Sequence, residues 1–403
     1  ALYLYSQASP GRTHVYLRQE DGSEQVLTYG KLAARACGVA AELGRLGVGA
    51  GDRVALMLPT GEDFFYCFLG VLLAQAVPVP IYPPFRADRI EDYATRQAGI
   101  LRNAEASLLV TVRRGEGLGR LLRPAVPSLI GVVNAEALGA EDRAPAWPSI
   151  PRGGALPALI QYTSGSTGDP KGVLLTHGNL LANIRAVGDA MGVRPDDVAV
   201  SWLPLYHDMG LIGSWLLCLY FGIPITILSP LAFLSRPERW LWAIHYHRAS
   251  LSIGPNFAYE LCARKIRDQS IEGLDLSCWR LALNGSEAVR PETLEHFAAR
   301  FARYGFRREA LLPVYGLAES TVGLTFSPVD RAPRLDRIHR GAFERSGRAE
   351  PAAGGDTLTF VSVGRPLGGH DVRIVSESGE PLGERLQGRL EFRGPSTMVG
   401  YFR

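Results

Sequence analysis

The chain has 403 residues and a formal net charge of +3, with 46% hydrophobic and 21% charged residues. That balance belongs to a folded globular protein, not to a disordered or coiled-coil chain, and the length exceeds what one compact core holds. So weak a net charge gives no field for nucleic acid or an anionic membrane.

The basic residues are almost all Arg; Lys31, Lys171 and Lys265 are the only lysines. Cys37, Cys67, Cys218, Cys262 and Cys278 are scattered with no CxxC pair. Neither a disulfide framework nor a zinc site is expected, and a reducing cytosol fits. The opening ALYLYSQASPGRTH has no basic region followed by an apolar core, so no secretory signal is read there.

In chain order, residues 31–46 read as a helix ended by Gly47 and Gly49, and 53–58 (RVALML) as a buried strand. Residues 63–74 are helical, and 77–81 (VPVPI) form a short strand whose prolines suit a sheet edge. A helix over 88–104 and a strand over 107–112 (SLLVTV) follow. This alternation predicts an α/β fold, a mostly parallel sheet with helices on its faces. Residues 140–154 (AEDRAPAWPSIPRGG) are rich in Pro and Gly and read as a linker.

A strand resumes at 155–162, and helices and strands then alternate to about residue 324. The uncharged stretch 210–234 has the length of a membrane span. Gly222, Pro224, Pro230 and Ser235 divide it into a helix over 212–221, a strand over 225–228 and a turn, so it reads as buried core and not as an integral membrane segment. Beyond residue 326 the chain turns polar and Arg-rich, then alternates short β runs with turns: LTFVSVG, HDVRIVS and GRLEFRG. The expected organisation is a core of two α/β subdomains over 1–325 and a small β-rich subdomain over 326–403.

Residues 162–173 (YTSGSTGDPKGV) run from a strand through a loop to Lys171 and a second strand. Gly165 and Gly168 let the backbone turn sharply and approach an anion. Thr163, Ser164, Ser166 and Thr167 set hydroxyls beside exposed amides that can wrap phosphate oxygens. Lys171 adds a mobile point charge. By composition alone a solvated hairpin is the commoner reading. The pattern is neither a Walker A loop nor a nucleophile elbow.

The full string resembles the AMP-binding signature of the adenylate-forming superfamily. Four further segments match in order: LPLYHDMGL (203–211), LNGSEAV (283–289), VYGLAEST (314–321) and GRLEFRGPSTMVGYF (388–402). Within the superfamily the chain looks like the fatty acyl-AMP ligases. HDMGLIG, Ala318 before the acidic residue, VPVPIYPP followed by RIEDYATRQAGIL, and an insertion at about 331–357 carry that likeness. The plainer reading of 331–357 is a solvated surface loop.

The resemblance implies activation of a fatty acid with ATP and Mg²⁺, and transfer to the phosphopantetheine thiol of an acyl carrier protein. Thr163, Ser164, Gly165, Ser166, Thr167, Gly168 and Lys171 would grip the β- and γ-phosphates. Asn284, Gly285 and Ser286 would line one adenine face and Tyr315, with Gly316, the other. Glu319 would hold Mg²⁺. His207 would close the pocket near the reacting carboxylate, so Lys171, His207 and Glu319 are the catalytic candidates. Met209, Ile212, Trp215, Leu216 and Phe257 are acyl-channel candidates; for each one alone, plain core is the commoner role. The family's C-terminal domain would follow the GYF segment.

Asp208 stands where amino-acid adenylation domains bind the substrate ammonium, but it equally belongs to the HDMG string, and the apolar helix beside it offers no second polar partner. His245 and His247 do not share a helix face and make no metal pair. Thr176 and His177 read as a helix cap. Three alternatives stay open: a coenzyme A synthetase, an amino-acid adenylation domain, and a non-catalytic module that binds nucleotide or acyl-adenylate within a synthase assembly.

Overall fold

The computed structural model describes residues 1–84, 90–138, 147, 153–163 and 170–403. The first eight strands are β1 (Thr13–Arg18), β2 (Glu24–Thr28), β3 (Arg53–Met57), β4 (Val77–Pro80), β5 (Ala106–Thr111), β6 (Gly131–Asn134), β7 (Pro157–Thr163) and β8 (Lys171–Thr176). Next come β9 (Ala199–Ser201), β10 (Ile225–Leu228), β11 (Leu251–Gly254), β12 (Leu281–Asn284), β13 (Leu311–Tyr315) and β14 (Thr325–Phe326). The last are β15 (Leu335–His339), β16 (Thr357–Val361), β17 (Arg365–Pro366), β18 (Asp371–Val375), β19 (Arg389–Arg393) and β20 (Gly400–Tyr401). The chain gathers into two compact units. One holds Ala1–Ile184, Ser201–Leu234 and Met398–Arg403; the other holds Arg185–Val200 and Ser235–Thr397. The linker expected at 140–154 lies almost wholly outside the described residues.

In the first unit, β4–β3–β5–β6 form a parallel sheet in that order. Its strands are apolar on both faces because helices return between them: Glu62–Leu73 after β3 and Ile90–Asn103 after β4. Strand β4 is at the edge, where Pro78 and Pro80, lacking N–H groups, leave no second ladder unmade. Helix Tyr29–Arg45 begins where the Thr28 hydroxyl accepts the Lys31 amide at 3.2 Å. It packs on Glu62–Leu73 at Gly70, where a Cβ would come within 2.5 Å of Val39. A side chain there would force the two helices apart.

Strands β7 and β8 make an antiparallel hairpin, and β20 pairs with β8 through Gly400↔Leu174 and Tyr401↔Val173. Strand β1 lies parallel to β10 and antiparallel to β2. The uncharged stretch divides as expected. A short helix (Asp208–Gly210) runs into a π turn (Leu211–Leu216) and a helix (Leu217–Phe221), which ends at Gly222 with φ 70° before β10. Among the described residues no helix is long and apolar enough to cross a membrane.

In the second unit β9, β11, β12 and β13 are parallel neighbours in that order. Strand β14 runs antiparallel to β13, and β17 antiparallel to β14. Two antiparallel pairs, β15/β16 and β18/β19, follow. The stretch 331–357 carries β15 and helix Arg340–Ser346 and leads into β16, so it has regular structure of its own.

Candidate functional site

Thr163 ends β7 and Lys171 begins β8, and the two are register partners across the hairpin. The intervening Ser164, Gly165, Ser166, Thr167 and Gly168 lie outside the described residues. The hairpin thus sets the ends of the glycine-rich loop side by side. Lys171 Nζ lies 5.1 Å from the centroid of the Tyr401 ring, a cation–π arrangement that places the ammonium at the root of that loop.

A cavity of about 220 Å³ opens beside this hairpin, lined by Tyr82, Arg96, Gln161, Tyr162, Thr163, Pro170, Tyr206, His207 and Asp208 among others. Asp208 begins a helix, and its Oδ1 accepts the Met209 amide at 2.7 Å. The same oxygen lies 2.6 Å from Nδ1 of His207. Desolvation pulls the imidazole pKa down; the Asp208 hydrogen bond and charge reverse this, and the group ends above its ordinary value. Asp208 therefore spends its carboxylate on orienting His207. Gln161, buried in β7, donates to the Tyr206 carbonyl at 2.9 Å and ties the His207 segment to the hairpin. Burial, with Tyr82 as a lesser cause, pushes the Tyr206 phenol up to about 12, so it stays a neutral donor.

The acyl-channel candidates fall in several places. Met209, in the short helix, and Ile212, Trp215 and Leu216, in the π turn, are buried, and the Ser214 hydroxyl donates to the Met209 carbonyl at 3.0 Å. The Trp215 ring sits 4.8 Å from Phe65 and 5.5 Å from Phe68, inside an aromatic cluster. None of the four lines the His207 cavity. Phe257 belongs to the second unit and is 45% exposed; its amide donates to Glu287 Oε1 at 2.5 Å at a helix start.

In the second unit the nucleotide candidates collect at the carboxyl ends of two adjacent parallel strands, β12 and β13, next to β11, which leads to the acyl-channel candidate Phe257. Strand β11 leads to Asn256 and Phe257, β12 to Asn284, Gly285 and Ser286, and β13 to Tyr315, Gly316 and Glu319. Ligands of open α/β sheets bind at such ends. Asn284 is buried and donates to Asn256 Oδ1 at 3.4 Å, which also accepts the Arg290 amide at 3.1 Å. Gly285 has no room for a Cβ, which would stand 2.9 Å from the Val314 carbonyl oxygen, and Ser286 takes φ 71°. The turn is therefore pressed flat beside Tyr315. Residues 311–314 of β13 are buried, whereas Tyr315 is 37% exposed and its ring is available for stacking. At Gly316 a Cβ would fall 1.7 Å from the Val322 carbonyl oxygen.

Glu319 sits half-buried in a one-turn helix, Ala318–Ser320. No group of three His, Cys, Asp or Glu suited to a metal occurs among the described residues. Mg²⁺ is commonly held by one or two carboxylates with the remaining ligands from substrate phosphates and water. A half-buried carboxylate such as Glu319, four residues after Tyr315, fits that donor set. His245 Nδ1 accepts the Asp275 amide at 3.0 Å and is a structural link. The Thr176 hydroxyl accepts the Asn179 amide at 3.1 Å and caps helix His177–Met191, as expected.

Sequence reasoning assigned no role to Tyr82, Arg96, Gln161, Tyr162 or Tyr206. Tyr82, Arg96, Tyr162 and Tyr206 stand within strings quoted for the family likeness, but only folding shows that they line one cavity.

The AMP-binding enzyme family matches residues 5–402. The chain is 35% identical to the medium-chain-fatty-acid–[acyl-carrier-protein] ligase JamA of Moorena producens, over 99% of this chain and 68% of that protein. It superposes with TM-score 0.93 and 33% identity on a solved structure from a study of fatty acyl-adenylate ligases of E. coli and L. pneumophila, covering all of this chain and 73% of the other. A fatty acyl-adenylate ligase from L. pneumophila, solved with acyl adenylate and pyrophosphate, gives TM-score 0.90 at 32% identity, covering all of this chain and 69% of the other.

Proposed function

The chain belongs to the AMP-binding enzyme family, and from that premise we propose that it activates a fatty acid as its acyl-adenylate for transfer to an acyl carrier protein. The observation that carries the nucleotide half is the placement of Asn284, Gly285, Ser286, Tyr315 and Glu319 at neighbouring strand ends, as a mononucleotide requires.

A carboxylate oxygen attacks the α-phosphorus of ATP, the bond to the β-phosphate oxygen breaks, and pyrophosphate leaves with that electron pair. Both reactants are anions, so the protein's work is to hold them together and neutralise phosphoryl charge. In this reading Lys171 and the loop from Thr163 take the β- and γ-phosphates. Tyr315 stacks on adenine. Glu319 is the residue that would hold Mg²⁺, which when bound neutralises charge on the phosphate oxygens. His207, held by Asp208, offers its remaining ring nitrogen to the fatty-acid carboxylate. Burial of the acyl chain stabilises binding by about 0.8 kcal/mol per methylene. The adenylate is a mixed anhydride, and its carbonyl is then attacked by the phosphopantetheine thiol with release of AMP.

The test offers the purified protein ATP, Mg²⁺ and fatty acids of graded length, with mass spectrometry of the products. Acyl-AMP, and an acylated carrier protein once carrier is added, are expected. Efficient formation of acyl-coenzyme A in place of acyl carrier protein overturns the carrier assignment, and exchange only with amino acids overturns the fatty-acid one.

A further inference from the structure

Two residues after Glu319, Thr321 has φ 76° and ψ −60°. A β-branched residue rarely adopts such a backbone, and strain of this kind persists only where the surroundings enforce it, most often at functional sites. Two contacts enforce it here. The Thr321 amide donates to the Ala318 carbonyl at 2.9 Å and closes the turn that carries Glu319. The buried Thr321 hydroxyl donates to the Ser396 carbonyl at 2.7 Å, 75 residues downstream.

Ser396 is itself fully buried and anchored. Its hydroxyl lies 2.6 Å from Nε2 of His370 and 3.1 Å from the Ser320 carbonyl oxygen. His370 Nδ1 lies 3.1 Å from the Gly368 carbonyl oxygen. The Ser396 hydroxyl has a single hydrogen and gives it to the Ser320 carbonyl, so Nε2 of His370 is the donor to the Ser396 oxygen. The ring fits because Gly394 has no side chain; a Cβ there would stand 2.2 Å from His370 Cδ2. The bonds thus run from His370 through the Ser396 hydroxyl to Ser320, while the Ser396 carbonyl holds Thr321, so that both residues that follow Glu319 are tied to Ser396.

We propose that His370 is a positioning residue for Glu319, acting through Ser396 on the strained turn at Thr321. The proposal rests on the reading of Glu319 as the carboxylate that meets Mg²⁺. Nothing in it asks His370 to touch substrate.

The experiment compares Ser396→Ala, His370→Ala, His370→Gln and Glu319→Gln with the unaltered protein in two assays. The first is hydrogen–deuterium exchange of the amides over 316–323 without ligand. The second is Mg²⁺ dependence of ATP–pyrophosphate exchange with dodecanoate. Ser396→Ala is expected to speed exchange over that turn and raise the half-saturating Mg²⁺ concentration severalfold, with the KM for dodecanoate unchanged. His370→Ala is expected to do the same, and His370→Gln, which keeps a polar group in the cradle, to recover part of the loss. Unchanged exchange in Ser396→Ala overturns the relay, whatever Glu319 does. A shifted Mg²⁺ response in Glu319→Gln with none in Ser396→Ala also overturns it. No Mg²⁺ shift in Glu319→Gln instead removes the metal reading, and the positioning role falls with it.

Discussion

His207 and Asp208 are joined through Nδ1 and Oδ1 at 2.6 Å, and the same carboxylate oxygen holds the Met209 amide at 2.7 Å. One aspartate thus holds both the amide of the next residue and the imidazole that lines the cavity. The pair also sets the charge state of His207. Desolvation lowers its pKa, and Asp208 more than offsets this. Asp208→Asn removes the opposing charge and leaves the desolvation. The His207 pKa is expected to fall from its raised value, so the ring loses its proton at lower pH than before. Titration of the His207 ring protons by NMR measures this, and an unmoved midpoint would show that Asp208 does not govern the ring.

Lys171 is the register partner of Thr163, at the foot of the loop read as the phosphate grip. A hydrogen bond to a charged group is worth about 1.5–3 kcal/mol. Lys171→Ala is therefore expected to lower kcat/KM for ATP by roughly 10- to 150-fold, with little change in thermal stability. Steady-state pyrophosphate-exchange kinetics decide it; an unchanged value would remove the loop from the nucleotide.

Trp215 packs edge-on against Phe64, Phe65 and Phe68 and is fully buried. Trp215→Ala should destabilise the fold by about 3–5 kcal/mol through a cavity and lost transfer energy. Urea unfolding checks this. Near-wild-type stability together with an altered preference for acyl length would return Trp215 to the acyl channel.

His14 is fully buried, stacked at 5.0 Å on Tyr29, whose hydroxyl is 3.2 Å from Nδ1. Desolvation, outweighing a backbone hydrogen bond at Ile223, holds its pKa near 3. The unfolded chain has the ordinary value near 6.5 and so binds more protons between these limits. Stability contributed by the neutral ring is complete above about pH 6.5 and falls with acidification, by at most about 1.4 kcal/mol per pH unit for this one group. His14→Gln should flatten the acid dependence of the urea midpoint between about pH 6 and 4. An equally steep dependence in the variant would assign that acid sensitivity to other groups.

The order of elements was legible from the chain because periodicity and turn residues are local. Helix Tyr29–Arg45, strand β3 and the break at Gly222 fall within a few residues of where the pattern puts them. The prolines of β4 marked an edge because a missing N–H cannot serve a second neighbour. Lys171, His207, Tyr315 and Glu319 were named because each stands in a contiguous string that resembles a family motif, and a contiguous string is visible without folding. Other facts depend on residues far apart in the chain, and no local pattern carries them. Trp215 was one apolar residue among many until three phenylalanines from another helix surrounded it. Arg96 and Tyr206 shared no signal until folding turned them to one cavity. The tie from His370 through Ser396 to Thr321 exists only in the folded chain, because strain at one residue is held by hydrogen bonds that need a partner 75 positions away.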